Sequence, residues 1–212
     1  MLSRFNGLAA CIVAALSLSG SMATQAAGDA ALGEKKFYTC IGCHGSESYK
    51  NAYPNYSVPR LRHQHAAYLI AALREYRSQE RPHATMHAQA ASMGDQDMAD
   101  IAAYLQGAQP VKPAAAVLGS PPKQVAICAA CHGENGLGVE APLVPKPPVL
   151  AGQHADYLEQ ALISYRNGRR KNGVMGSMAQ LLAGDADIKA IAAYFAAQPS
   201  PLATATSARG GL

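Results

Sequence analysis

Residues Thr39-Cys40-Ile41-Gly42-Cys43-His44-Gly45 are answered 88 positions later by Ile127-Cys128-Ala129-Ala130-Cys131-His132-Gly133. Cysteines separated by two residues serve several chemistries. A structural zinc site gathers its ligands within a short span, whereas these pairs lie far apart. A thioredoxin-like dithiol sits in a βαβ setting, and the flanks here read as helical. A disulfide across each pair leaves the following histidine unexplained.

The stretch is part of a larger repeat. Val58–Gln79 (VPRLRHQHAAYLIAALREYRSQ) matches Pro148–Gly168 (PVLAGQHADYLEQALISYRNG), and Met93–Pro110 matches Ala183–Pro199. Such self-similarity marks two copies of one unit. Leu69, Ala72, Leu73 and Tyr76 form an i, i+3, i+4, i+7 stripe, as do Leu158, Ala161, Leu162 and Tyr165. Met98, Ile101, Ala102 and Leu105 form another, matched by Ile188, Ile191, Ala192 and Phe195. Asp95 and Asp185 stand where helix N-caps belong. The expected fold is all-α: few helices per unit, with long loops that need something to wrap around.

Both copies place histidine directly after the second cysteine, and C-x-x-C-H is the attachment signature of c-type haem. Cys40 and Cys43, and likewise Cys128 and Cys131, are spaced to hold one porphyrin through two thioethers. The next residue, His44 or His132, then lies under the iron as proximal ligand. A macrocycle would also supply core volume to a chain with 6% aromatic residues and no Trp. The apoprotein is expected to be largely unfolded.

A sixth ligand is expected between the middle and last helices, in a loop. Met86 and Met175 are the candidates. Met178 is the alternative in the second unit; His83, His87 and Met93 compete in the first. The carbonyls of Pro59 and Pro148 are candidate acceptors for the proximal imidazoles. His65 and His154, at matching helix starts, read as structural or surface histidines.

The N-terminus reads as a cleavable secretory signal: Arg4, the apolar run from Leu8 to Leu18, then small residues through Ala27. Cys11 falls inside it, leaving four cysteines. The expected division is signal peptide 1–26, first domain 27–106, linker 107–122, second domain 123–200 and flexible tail 201–212. Formal charge is +4 over 212 residues, too weak for a nucleic-acid binder. The excess gathers at Arg166, Arg169, Arg170 and Lys171, which would either steer an acidic partner or face a helix C-terminus.

The motifs CIGCHG and CAACHGENGLG, the Pro148–His154 segment, the methionine stretches and the D-x-D-[MI]…IAAY[LF] terminal helices resemble the dihaem cytochrome c4 family, two class I cytochrome c domains in tandem. The resemblance covers nearly all of the chain after residue 26. It implies two covalently bound haem c groups with His/Met ligation, a pseudo-twofold arrangement and propionates near the domain interface. It further implies a one-electron carrier in the periplasm, soluble or peripherally membrane-associated. Donors would be a quinol–cytochrome c oxidoreductase or a dehydrogenase, and the acceptor a terminal oxidase. The alternative is a dihaem subunit of a periplasmic dehydrogenase such as flavocytochrome sulfide dehydrogenase; a catalytic dihaem enzyme stands behind both. Departures from the pattern are Arg62-His63 where the second unit has Ala151-Gly152, Ser46-Glu47-Ser48 after the first motif, histidines on both sides of Met86, and Pro121-Pro122 where the first unit begins its helix.

Overall fold

The structure is a computed structural model, describing residues 27–112, 116–140 and 146–205. The expected signal peptide lies outside these residues, as does the tail from 206 on.

In the first unit, α1 (Ala30–Lys36) begins where the Asp29 carboxylate accepts from the Ala31 and Leu32 amides. A 3-10 turn (Phe37–Thr39) leads to the short α2 (Ile41–His44). A two-stranded antiparallel ribbon follows, β1 (Lys50–Asn51) on β2 (Tyr56–Ser57). Then come α3 (Ala66–Arg77), α4 (Ala84–Ala91) and α5 (Asp95–Gln106). In the second unit, α6 (Val125–His132) carries the whole cysteine motif, followed by α7 (Ala155–Arg166), α8 (Gly173–Gln180) and α9 (Asp185–Ala197).

The terminal-helix stripes are buried as their spacing requires: Met98, Ile101, Ala102 and Leu105 on α5, and Ile188, Ile191, Ala192 and Phe195 on α9. Phe37 joins the α3–α5 core, and Val125, its counterpart in the repeat, joins the α7–α9 core. The units differ at their starts. Gly33 lies against the Asp100 carbonyl of α5, so close that a Cβ would collide with it. The second unit has Pro121 at the matching place and, among the described residues, no helix between the linker and Val125.

Three expectations are corrected. Asp95 and Asp185 are first helical residues, not caps; the N-caps are Gly94 and Gly184. The acids two residues on do the capping: Asp97 accepts from the Gly94 amide and Asp187 from Ala183. Met86 and Met175 lie not in loops but on α4 and α8. Residues 201–205 do not trail in solvent. Arg62 and Ala203 exchange backbone hydrogen bonds, the Ala205 amide donates to the His44 carbonyl, and Ala205 is buried in the first core. Leu202 packs with Val111, Leu137, Val149 and Ala151. Residues 202–205 thus strap one unit to the other, and Val111, in the expected linker, is part of the joint.

The atypical Arg62-His63 pair keeps the shape of its counterpart. His63 has φ +63° and Gly152 has φ +65°, so the first unit holds a histidine in the left-handed backbone region where the second uses glycine.

Candidate functional site

The repeat brings two equivalent clusters together. In the first, His44 ends α2 and is buried; its Nδ1 lies 3.0 Å from the Pro59 carbonyl oxygen. In the second, His132 ends α6 and is buried; its Nδ1 lies 3.0 Å from the Pro148 oxygen. A carbonyl only accepts, so each Nδ1 carries the hydrogen and each Nε2 keeps a free lone pair. Burial holds both imidazoles below their ordinary pKa, outweighing the carbonyl bond that favours the charged form. Both are neutral rings held in one orientation.

Cys40, Cys43, Cys128 and Cys131 are free thiols, each half-buried beside its histidine. Burial raises the Cys40 thiol and pushes Cys128 up to about 11, so neither is a poised thiolate. No group of three or more His, Cys, Asp or Glu side chains placed to hold a metal ion occurs among the described residues.

The methionine helices match closely. Met86 and Met175 each occupy the third position of their helix, and each offers its amide to the N-cap side chain, His83 Nδ1 at 3.3 Å or Asn172 Oδ1 at 3.0 Å. Met178 is one turn further along α8. The histidines flanking Met86 have other duties. His83 spends Nδ1 on that cap and sets its ring edge-on to Tyr76. His87 donates from Nδ1 to the Tyr76 carbonyl at 3.0 Å, and its Nε2 meets Gln79 Nε2 at 3.1 Å. Met93 packs between the α5 core and the Tyr76–Met98 cluster. His65 is buried at the start of α3 with Nε2 unpartnered, and His154, its counterpart, lies 3.9 Å from Glu47.

Between the units lies a polar face with approximate twofold symmetry. Arg81 reaches across to the Tyr157 hydroxyl at 2.5 Å; its counterpart Arg170 reaches back to Tyr68 at 3.3 Å. Each guanidinium also stacks on its own unit's tyrosine, Arg81 on Tyr76 and Arg170 on Tyr165. Gln64 makes two bonds to the Val149 backbone and Gln153 makes two to Arg60. A cavity of about 320 Å³ opens here, lined by Tyr76, Arg81, His83 and Arg170 among others.

This corrects one reading and supplies what was missed. Arg170 is a buried joint residue, not part of a steering patch, and Arg166 is tied to Asp185 at 2.5 Å. Gln64/Gln153, Tyr68/Tyr157 and Arg81 went unnoticed as functional residues, and Arg170 was read only as surface charge. Their signal was identity between the repeats at positions outside both the helical stripes and the cysteine motif.

The residues fit c-type haem. Two thiols and a neutral imidazole with free Nε2 stand together in each unit. Two buried guanidiniums are met chiefly by phenols, with Glu75 the nearby carboxylate, 3.6 Å from Arg170. Burial raises the Tyr68 phenol, but Arg170 and Arg81 more than reverse this and bring it down to about 7. That surplus of buried positive charge suits further carboxylates, such as the propionates of a porphyrin.

Comparison with known proteins agrees. The cytochrome c family profile matches residues 30–109 and again 123–198. The chain is 33% identical to cytochrome c4 of Pseudomonas aeruginosa, over 89% of this chain and 97% of that one. It is 34% identical to the thiosulfate dehydrogenase electron acceptor of Stutzerimonas stutzeri, over 74% and 77%. The crystal structure of reduced recombinant cytochrome c4 from Pseudomonas stutzeri superposes with a TM-score of 0.61 at 28% identity, over 82% of this chain and all of that one. Two tandem domains, two covalently bound haem c groups and an electron-carrying role place this chain in the dihaem cytochrome c4 family, to which it belongs.

Proposed function

We propose that this chain is a periplasmic carrier whose irons are ligated by His44 with Met86 and by His132 with Met175, and that it passes electrons singly towards a respiratory terminal oxidase. The matching environments of Met86 and Met175 carry the ligand reading: both sit at the third position of a short helix with the backbone amide held by the N-cap. Met178 lacks that equivalence, and both ring nitrogens of His87 are taken. When bound, the haem supplies reversible ferrous–ferric cycling. The protein's part is to hold each proximal imidazole neutral and aimed; Met86 and Met175 would be the second ligands, leaving neither iron open to a substrate. Cys40, Cys43, Cys128 and Cys131 would form the thioethers.

The near-infrared band of ferric haem reports sulfur ligation and tests this directly. The wild type is expected to show full intensity for two haems, Met175→Ala half of it, and Met178→Leu no loss. Half-intensity in the wild type, or loss on changing Met178, would overturn the assignment. The two methionines share that backbone setting, but Met86 follows a histidine cap and packs by Tyr76 and Met98 while Met175 follows an asparagine cap, so two resolvable steps are expected in a redox titration.

A second reading has an observation behind it, since one similar protein is named an electron acceptor of thiosulfate dehydrogenase. Here the chain would take electrons from a periplasmic dehydrogenase. Reduction of the ferric protein by such a dehydrogenase with its substrate, faster than by a quinol–cytochrome c oxidoreductase, would favour that donor. No helix among the described residues is long and apolar enough to cross a membrane.

A further inference from the structure

We propose that each domain sets the redox potential of the other domain's iron through a single glutamine, Gln153 acting on the haem of the first unit and Gln64 on that of the second. The inference rests on His44 and His132 being the proximal ligands. The Pro59 carbonyl, which accepts from His44, and the Arg60 amide belong to one peptide group. That amide donates to Gln153 Oε1, in the other domain, at 2.9 Å. The second unit repeats the arrangement: the Pro148 carbonyl accepts from His132, and the Val149 amide donates to Gln64 Oε1 at 2.9 Å. Each glutamine returns a bond from Nε2, to the Arg60 or Val149 carbonyl at 3.0 Å, which fixes its amide the right way round. Both side chains are buried, at 3% and 4% exposure.

Hydrogen bonds in series polarise one another in a low-dielectric interior. An acceptor on the amide side of a peptide puts more negative charge on its carbonyl oxygen. The carbonyl then draws harder on the imidazole hydrogen, and the more electron-rich imidazole favours ferric iron. Removing the glutamine acceptor therefore raises the potential of the haem across the interface. Gln64 and Gln153 are positioning residues that touch no cofactor; they act through a peptide and an imidazole. Their surroundings differ. Val149 is buried and apolar, whereas Arg60 is partly exposed and paired with Glu47, so water can take over from Gln153 more easily than from Gln64. The larger effect belongs to Gln64.

The test is a potentiometric titration of the full holo-protein and its Gln64→Leu and Gln153→Leu variants. Each iron is followed through its own hyperfine-shifted haem methyl resonances, assigned by proximity to the two cysteine motifs. Gln64→Leu should shift the second haem's ferrous-to-ferric ratio at fixed ambient potential about threefold towards ferrous, about 28 mV at 59 mV per tenfold for one electron. Gln153→Leu should move the first haem the same way by less. The glutamate variants retain an acceptor, now anionic, and should move the same irons in the opposite direction. Should leucine loosen the joint, the glutamate pair still reads the crossed pattern. Equal shifts at both haems, a shift confined to the variant's own domain, or no shift would overturn the proposal. The shifted imidazole ring resonances of the wild type report separately whether His44 and His132 bind iron, so failure of the ligand assignment is distinguishable from failure of the coupling.

Discussion

His65 shows how much one buried side chain reports. It is 2% exposed, its Nε2 has no partner among the described residues, and burial with the nearby Lys146 charge brings its pKa from 6.5 down to about 4. Between those values the unfolded chain binds the proton and the folded chain does not. Stability therefore falls as pH drops from 6.5 to 4, by up to about 1.4 kcal/mol per pH unit for this residue, and the loss is complete below 4. Chemical denaturation of the holo-protein at several pH values should show a shallower slope over this window in His65→Gln than in the wild type. Equal slopes would mean that the buried ring is hydrated. The repeat located this histidine, but its burial against the second unit depends on chain folding that brings residue 146 near residue 65. No local pattern carries that information.

At the scale of elements, two helix contacts are open to test. Gly33 lets α1 approach the Asp100 carbonyl of α5. In Gly33→Ala, α1 must shift, and the expected loss is about 1–3 kcal/mol in guanidinium denaturation followed by circular dichroism. An unchanged midpoint would show that α1 is free to move. Asn172 caps α8 through the Met175 amide, so Asn172→Ala should cost about 1 kcal/mol of stability. It should also weaken the near-infrared sulfur band, because the cap and the methionine share one helical turn. The apolar stripes made α3, α5, α7 and α9 legible from spacing alone. α4 and α8 were not legible: they are eight residues long, hold alanine, glycine and polar residues, and have only a weak apolar face. Their caps, a histidine and an asparagine, look like loop residues until the matching amides are seen.

At the scale of the molecule, two small cores with few aromatic side chains are held by a polar joint, a folded-back terminal segment and the covalent cofactors. Cysteine-to-alanine change at Cys40, Cys43, Cys128 and Cys131 together should leave a chain of low helicity by far-UV circular dichroism. The α3–α5 core gathers seven buried residues and the α7–α9 core eight, with two aromatic rings in each, which buries little area. Near-native helicity in that variant would show that the helices pack without haem.

By itself the sequence determined the chemistry and the doubling. Thioether attachment and proximal ligation depend on residues three and four apart, a spacing carried by the chain itself, and the repeat is a comparison of the chain with itself. Helical stripes were readable for the same reason, since burial on a 3.6-residue period is local. Only the tertiary structure decided how the copies meet. The pairing of Gln64 with Val149, Gln153 with Arg60, and Arg81 with Tyr157 joins residues some 76 to 93 positions apart. The sequence marks those side chains as repeated but not as partners, because a hydrogen bond across an interface depends on where two separately folded surfaces come to rest.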